Sequence, residues 1–404
     1  MPALAPYHRR LFLFLSVASF FEGFDYYALA QLLPELRTAF SLTVPEGTSL
    51  ASFINIGMVL SFFLVRQGDR LGRHRLLAWT ITGYMVFTAL SALSQNVGQF
   101  AVCQMLARLF QSAEVATVMV FAAEEFPADR RGFVLGVIQG TSSLGAIVCA
   151  GVTPLLTATT LGWRMVYLVG GVPLLLVAYL RRNLRDTARF AATETQTALP
   201  LARVFQSRYL PRLLLLSLIW ALVMFCTQSA LLFWKDFAVT ERHFSAAQVA
   251  QCMTIAAVGS LPLVFSVGKL LDVVGRKASA VVVFGLTILG VLLSYTRSSQ
   301  MLLTLGVLLG IAGTTCMLSV VQTLTTELFP TEIRAESFGV ANNLIGRTAG
   351  VLSPLLIGFL AVRFGYGPAV QSTAIGPLFA MLLILLAVAE TRGKELEETA
   401  ALPD

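Results

Sequence analysis

The chain has 404 residues, of which 56% are hydrophobic and 13% charged, with a formal net charge of +7. Soluble domains carry roughly 45–50% apolar and about 25% charged residues, so this composition excludes an ordinary water-soluble domain. The positive charge is dealt out in short stretches between apolar runs, which excludes a continuous basic face for nucleic acid.

The apolar runs approach the ~20 residues needed to cross a bilayer. In chain order they predict twelve spans, over 11–33, 49–66, 76–94, 98–121, 132–157, 163–180, 212–236, 247–268, 278–295, 300–325, 336–361 and 367–390. The first follows Arg9 and Arg10 and is read as an uncleaved helix, because its apolar run is too long for a signal peptide. It carries Glu22 and Asp25, three apart on one helical face, flanked by Phe24, Tyr26 and Tyr27. The fourth holds Arg108 and Glu114. The polar stretch 186–210 reads as a linker between a bundle over 1–185 and a second over 211–404. Beyond it, the seventh span holds Trp220, Phe225 and Gln228 and ends in Trp234, read as an interfacial anchor. The eleventh holds Arg347.

Basic residues fall mainly on one side of this arrangement, from Arg66, Arg70, Arg73 and Arg75 through the 181–212 stretch to Arg392 and Lys394. The positive-inside rule then places both termini in the cytoplasm. The five cysteines lie within spans without paired spacing, and the three histidines lie in the N-terminal tail or in loops, so neither a disulfide framework nor a metal site is expected.

The two halves repeat each other at an offset of 203. Asp69, Gly72 and Arg73 recur as Asp272, Gly275 and Arg276, and Glu124, Phe126, Pro127 and Arg131 recur as Glu327, Phe329, Pro330 and Arg334. A duplicated membrane domain is the usual plan of a transporter. The charges at Asp25 and Arg108 are not repeated: their counterparts are Gln228 and Ile311, so the scaffold itself does not require them.

The stretch from Gly268 through Asp272, Gly275 and Arg276 to Lys277 is similar to the loop motif of the major facilitator superfamily, and the resemblance covers the whole chain. The first copy has Val65 where that family places its leading glycine. Glu22-Gly23-Phe24-Asp25 resembles the first-helix motif of aromatic acid:proton symporters. Gly346-Arg347 with Gly350, Ser353 and Pro354 is similar to the same branch and to organic ion transporters. Glu390-Thr391-Arg392-Gly393-Lys394 is shared with sugar porters. Ala146 after Gly145 departs from the drug:proton antiporter motif, and Gln228 stands alone where sugar porters carry a glutamine pair.

The resemblance implies an all-α membrane protein of twelve helices in two pseudo-symmetric six-helix bundles, working by alternating access. It implies gating by the loop residues Asp69, Arg73, Asp272 and Arg276, together with Glu124, Arg131, Glu327 and Arg334.

A charge at mid-bilayer costs on the order of 2.5–3.5 kcal/mol even on lenient scales, so the intramembrane charges mark function. Asp25, with Glu22 and Glu114, is read as proton-coupling. Arg347 and Arg108, with Gln228, Tyr26, Tyr27 and Trp220, are read as substrate-binding, either by direct contact with an anion or, for the arginines, through pairing with Asp25 or Glu114. Asp272 is also expected to accept hydrogen bonds at the start of the following helix.

The expected function is proton-coupled symport of a small organic anion, an aromatic carboxylate being one candidate, by a monomer in a bacterial inner membrane. Its expected partners are substrate, protons and lipid, with no cofactor beyond the coupling proton. A drug or metabolite exporter and a sugar or polyol porter are the rivals within transport. A membrane enzyme would need a polar catalytic cluster in its loops, and a sensor would need an appended soluble domain.

Overall fold

The computed structural model describes residues 6–66, 73–125, 128–180, 205, 208–296 and 299–392. The first half forms α1 (Pro6–Ala39), α2 (Val44–Arg66), α3 (Arg73–Ala92), α4 (Val97–Glu125), α5 (Ala128–Thr157) and α6 (Trp163–Leu180). The second half forms α7 (Leu210–Leu232), α8 (Trp234–Thr240), α9 (Ala246–Val274), α10 (Arg276–Ser294) and α11 (Gln300–Glu327). It continues through α12 (Thr331–Phe338), a π-helical turn (Gly339–Gly346) and α13 (Arg347–Phe364). It ends with α14 (Tyr366–Gln371), a 3-10 turn (Ser372–Ala374) and α15 (Ile375–Ala387).

Taking α7–α8, α12–α13 and α14–α15 as three interrupted spans, the described residues hold the twelve expected. Among the described residues, nine are long and apolar enough to cross a membrane on length and composition. The apolar run of α4 is interrupted by Gln99, Gln104, Arg108, Gln111 and Glu114.

The interruptions are where structure departs from the sequence reading. The seventh span breaks at Phe233, and the eleventh widens into the π turn. In the twelfth, Pro377 lacks an N–H and its ring crowds the carbonyl four residues back, at Thr373, where the helix tightens to 3-10. Trp234 is a correction: it is fully buried, and its indole N–H donates to the Ser294 carbonyl at 3.0 Å, so it is a packing residue and not an interfacial anchor.

Helix starts follow local chemistry. Before α2, the Glu46 carboxylate accepts from the backbone N–H and hydroxyl of Thr43, at 2.8 and 2.7 Å. Before α9, Ser245 and Gln248 form a reciprocal capping box.

The chain forms two compact units, Met1–Ser41 with Phe53–Ala198, and Leu42–Ser52 with Leu199–Asp404. Within the first, α1 packs along α5 and α6, and α3 along α4 and α6. Gly23 and Gly145 make the α1–α5 contact possible: a Cβ on Gly23 would collide with the Ser142 backbone, and one on Gly145 with the Phe20 backbone. The core of this unit includes Leu15, Leu77, Ile81, Tyr84 and Ile138.

In the second unit, α10 and α9 pack on α11, and α7 packs on α13, the π turn and α15. Its core includes Leu216, Val223, Phe284, Met317 and Phe329. Trp79, Leu155, Phe265, Met301 and Leu386 are each more than two-thirds exposed. In water that surface would aggregate; in a bilayer it is the lipid face.

Candidate functional site

The first unit gathers its ionisable residues around α1. Asp25 is 4% exposed, and its Oδ2 accepts a hydrogen bond from the Thr88 hydroxyl of α3 at 3.1 Å. Its Oδ1 lies over Gly170 of α6 and makes no hydrogen bond of normal geometry among the described residues, although the Tyr84 hydroxyl acts on the carboxylate from close by. Glu22, one turn earlier and half-buried, accepts from the Ser142 hydroxyl of α5 at 2.8 Å. Tyr84 donates to the Phe21 carbonyl at 3.1 Å, closing the α3 side.

Arg108 enters from α4, 5% exposed. Its Nη1 donates to Gln111 Oε1 at 3.1 Å and its Nη2 to the Tyr26 carbonyl at 3.4 Å. Its guanidinium carbon lies 4.4 Å from the centre of the Tyr26 ring, a cation–π contact. Gln111 in turn donates to the Glu22 carbonyl at 2.9 Å.

Arg108 therefore hydrogen-bonds only neutral acceptors among the described residues, while it acts electrostatically on both Asp25 and Glu22. A buried guanidinium held this way keeps both its charge and its remaining N–H donors for a carboxylate. Tyr27 is half-buried with its ring edge-on to Tyr26, and Glu114 is buried one turn beyond Gln111.

In the second unit the π turn sets the site. Such turns concentrate at functional positions. Here the Arg347 N–H bonds the Asn342 carbonyl five residues back, and α13 begins at Arg347, which is half-buried. One turn on, Gly350 packs against Gln228 of α7, where a Cβ would come within 2.8 Å of the Gln228 side chain. Arg347 and Gln228 thus belong to facing surfaces of α13 and α7. Trp220 lies deeper in the core, its indole N–H donating to Thr325 at 2.9 Å and its ring edge-on to Phe338. Asn342 carries a buried Oδ1 with no hydrogen-bond partner among the described residues.

The loop residues of the second unit form a network at the end of α9. Arg276 grips Glu327 bidentately, Nη2 to Oε1 at 2.6 Å and Nε to Oε2 at 3.2 Å. Asp272 is largely exposed and reaches Arg276 at 3.8 Å. Gly275, at φ +98°, turns the chain into α10.

The acid that caps α10 is Glu390, which corrects the expectation for Asp272. Its Oε1 accepts from the Arg276 N–H and its Oε2 from the Lys277 N–H, both at 2.9 Å. Lys277 Nζ donates to the Leu385 carbonyl at 2.8 Å, and Thr391 donates its hydroxyl to Glu327. Arg334 bonds the Phe329 carbonyl at 3.1 Å across the Pro330 turn. Asp69 and the side chains of Arg73, Glu124 and Arg131 lie outside the described residues.

Sequence reasoning did not single out Thr88, Ser142, Tyr84, Asn342 or the capping role of Glu390. Neutral polar residues in spans carry no signal of their own. The asparagine pair 342–343 in a glycine-flanked stretch was the one hint at the π turn.

The family model described as Major Facilitator Superfamily matches residues 15–342 and 227–402. The chain is 27% identical to a sialic acid transporter of Escherichia coli K12, over 93% of this chain and 92% of that one. It is 26% identical to a 3-(3-hydroxy-phenyl)propionate transporter of the same organism, over 90% of each. A crystal structure of a D-xylose–proton symporter superposes with a TM-score of 0.79 at 19% identity, covering 96% of this chain and 99% of that one, which is a likeness of fold. An all-helical chain with this repeated loop chemistry and these matches belongs to the major facilitator superfamily, as a multi-pass membrane transporter and not an enzyme.

Proposed function

We propose that this transporter carries a small organic anion together with a proton, and that aromatic carboxylates are the class to test first. The observation that carries the reading is the Asp25–Arg108 arrangement. A buried carboxylate with one unbonded oxygen stands near a buried guanidinium whose hydrogen bonds go to neutral groups. The two Escherichia coli relatives bear names with acidic substrates, one of them aromatic, and this supports the class.

In this reading Asp25 takes the proton at Oδ1. Neutralising it leaves the positive charge of Arg108 to be balanced by the substrate carboxylate, with Arg347 in the second unit as a further anion contact. Proton and anion together let the loaded carrier reorient without an uncompensated buried charge, whose cost is on the order of 2.5–3.5 kcal/mol or more. Tyr26, Tyr27 and Gln228 would line the substrate, and Glu22 and Glu114 would tune the coupling.

The Arg276–Glu327–Glu390 network serves as one gate. Its pairs are individually worth ~0–1 kcal/mol where exposed, and they act as a set. In the same reading the basic residues favour both termini being cytoplasmic, the bacterial relatives favour a bacterial inner membrane, and the carrier works as a monomer.

The test is proton movement in proteoliposomes with an internal pH dye, as benzoate-like acids, dicarboxylates, sugars and amines are added in turn. Liposomes without protein correct for acids that cross lipid unaided. Protein-dependent acidification with one acid class, lost in Asp25→Asn and in Arg347→Ala, is the expected result. A response to sugars or amines alone contradicts the anion assignment.

A further inference from the structure

An apolar groove runs along the outside of the first unit between α3 and α6. It is lined by Met85, Val86, Ala89 and Leu90 of α3, by Leu93 just past the end of α3, and by Leu168 and Gly171 of α6. No polar atom contributes surface to it, and its volume is about 260 Å³. The lining residues from Met85 to Leu93 recur every three or four positions, so they share one face spanning about 12 Å at ~1.5 Å per residue. Val86, Leu90 and Leu93 are 48%, 42% and 70% exposed, so this face is turned to hydrocarbon in a membrane. Gly171 keeps the groove open, since its α-carbon carries nothing to fill it.

A charge stands just beyond one end of the groove. Arg164 lies four and seven residues before Leu168 and Gly171, on the same face of α6. Its Nη2 donates to the Ser94 carbonyl at 3.1 Å, which fixes the guanidinium beside Leu93, where the groove ends. The rest of the guanidinium stacks over Trp163 at 4.4 Å. Arg164 makes no ion pair with a carboxylate among the described residues, and four of its five N–H donors remain for an anion.

We propose that this groove is a phospholipid site, with an acyl chain along the α3–α6 face and the lipid phosphate on Arg164. An apolar slot open to the bilayer core with a half-buried arginine just beyond its end, at the depth where a helix ends, matches a molecule that is hydrocarbon at one end and anionic at the other. The site is independent of the transport reading: it uses neither Asp25 nor Arg108 and lies on the lipid side of the unit.

The test is native mass spectrometry of the protein purified in a mild detergent and supplemented with phosphatidylglycerol. The parent should retain one phospholipid per chain. Arg164→Gln and Gly171→Leu should each lower the retained fraction at least about fivefold. Ala89→Leu fills the groove from α3 and replaces Gly171→Leu should that variant not be recovered.

Arg363→Gln is the control, because Arg363 also stands at a span end over an aromatic ring, Phe359, and is not among the residues that line the groove. Equal retention in the parent and both groove variants, an equal loss in Arg363→Gln, or a free fatty acid retained in place of phospholipid would each overturn the proposal.

Discussion

Replacing Glu390 probes the second unit's loop network where its geometry is most complete. The carboxylate accepts the first two N–H groups of α10, both at 2.9 Å, and those of Thr391 and Arg392, both at 3.1 Å. The α10 donors belong to a helix start, which has no acceptors of its own within the helix. Losing a side-chain cap costs about 0.5–2 kcal/mol. Removing a negative charge from the positive end of a helix adds about 0.3–1 kcal/mol. Glu390→Ala should therefore destabilise by about 1–3 kcal/mol, and Glu390→Gln, which keeps an acceptor oxygen, by about 1 kcal/mol.

Protonation should reproduce the loss. Burial pushes the Glu390 carboxyl up, but the four backbone donors together outweigh it and hold it below its ordinary value. A carboxyl whose folded-state value is depressed contributes stability above its unfolded value, near 4.3, and loses it as pH falls through the folded value. Thermal unfolding in detergent should thus give a lower midpoint for Glu390→Gln than for the parent at pH 7. The gap should stay constant down to about pH 5 and narrow below about pH 4. An unchanged midpoint at pH 7, or a gap that persists at the lowest pH, would refute the capping role.

Gly145→Val should destabilise by more than about 3 kcal/mol, because its side chain would meet the Phe20 backbone, which cannot shift without separating α1 from α5; expression level and unfolding midpoint report it. Arg276→Lys keeps the charge but loses the bidentate grip on Glu327, and should lower the unfolding midpoint less than Glu327→Ala does in the same assay. Trp220→Phe should cost about 1–3 kcal/mol, since the buried Thr325 hydroxyl loses its donor, and double replacement with Thr325→Val should recover part of that loss. Thr88→Val removes the donor to Asp25 Oδ2 and should alter transport far more than it alters secondary structure by circular dichroism.

The twelve spans were legible because repeated apolar runs of bilayer length would leave a chain insoluble anywhere but in a membrane. Their interruptions were not. Lys235 and Asp236 follow the break at Phe233 and Asn342 and Asn343 sit in the π turn, but polar residues within a span do not say where a helix breaks or widens, because that is set by backbone hydrogen bonding. Asp25 and Arg108 stood out because a charge in a membrane is expensive, and the structure brings them into one cluster. Of the groups that hold them, Gln111 lies one turn from Arg108 on α4, whereas Thr88 of α3 and the Tyr26 carbonyl of α1 reach them from other helices. Glu390 shows the same limit at longer range: its tail motif stands out in the sequence, but the N–H groups of the helix it caps lie more than a hundred positions earlier.

The central claim is that Asp25 carries the coupling proton. The most direct measurement compares two modes of transport in proteoliposomes containing Asp25→Asn, using an acid shown to be a substrate of the parent. Exchange of labelled for unlabelled substrate at equal pH needs no net proton transfer, whereas accumulation driven by an imposed pH gradient does. If Asp25 is the carrier, Asp25→Asn retains exchange and loses gradient-driven accumulation. Accumulation at the parental level would contradict it and assign the proton to another group.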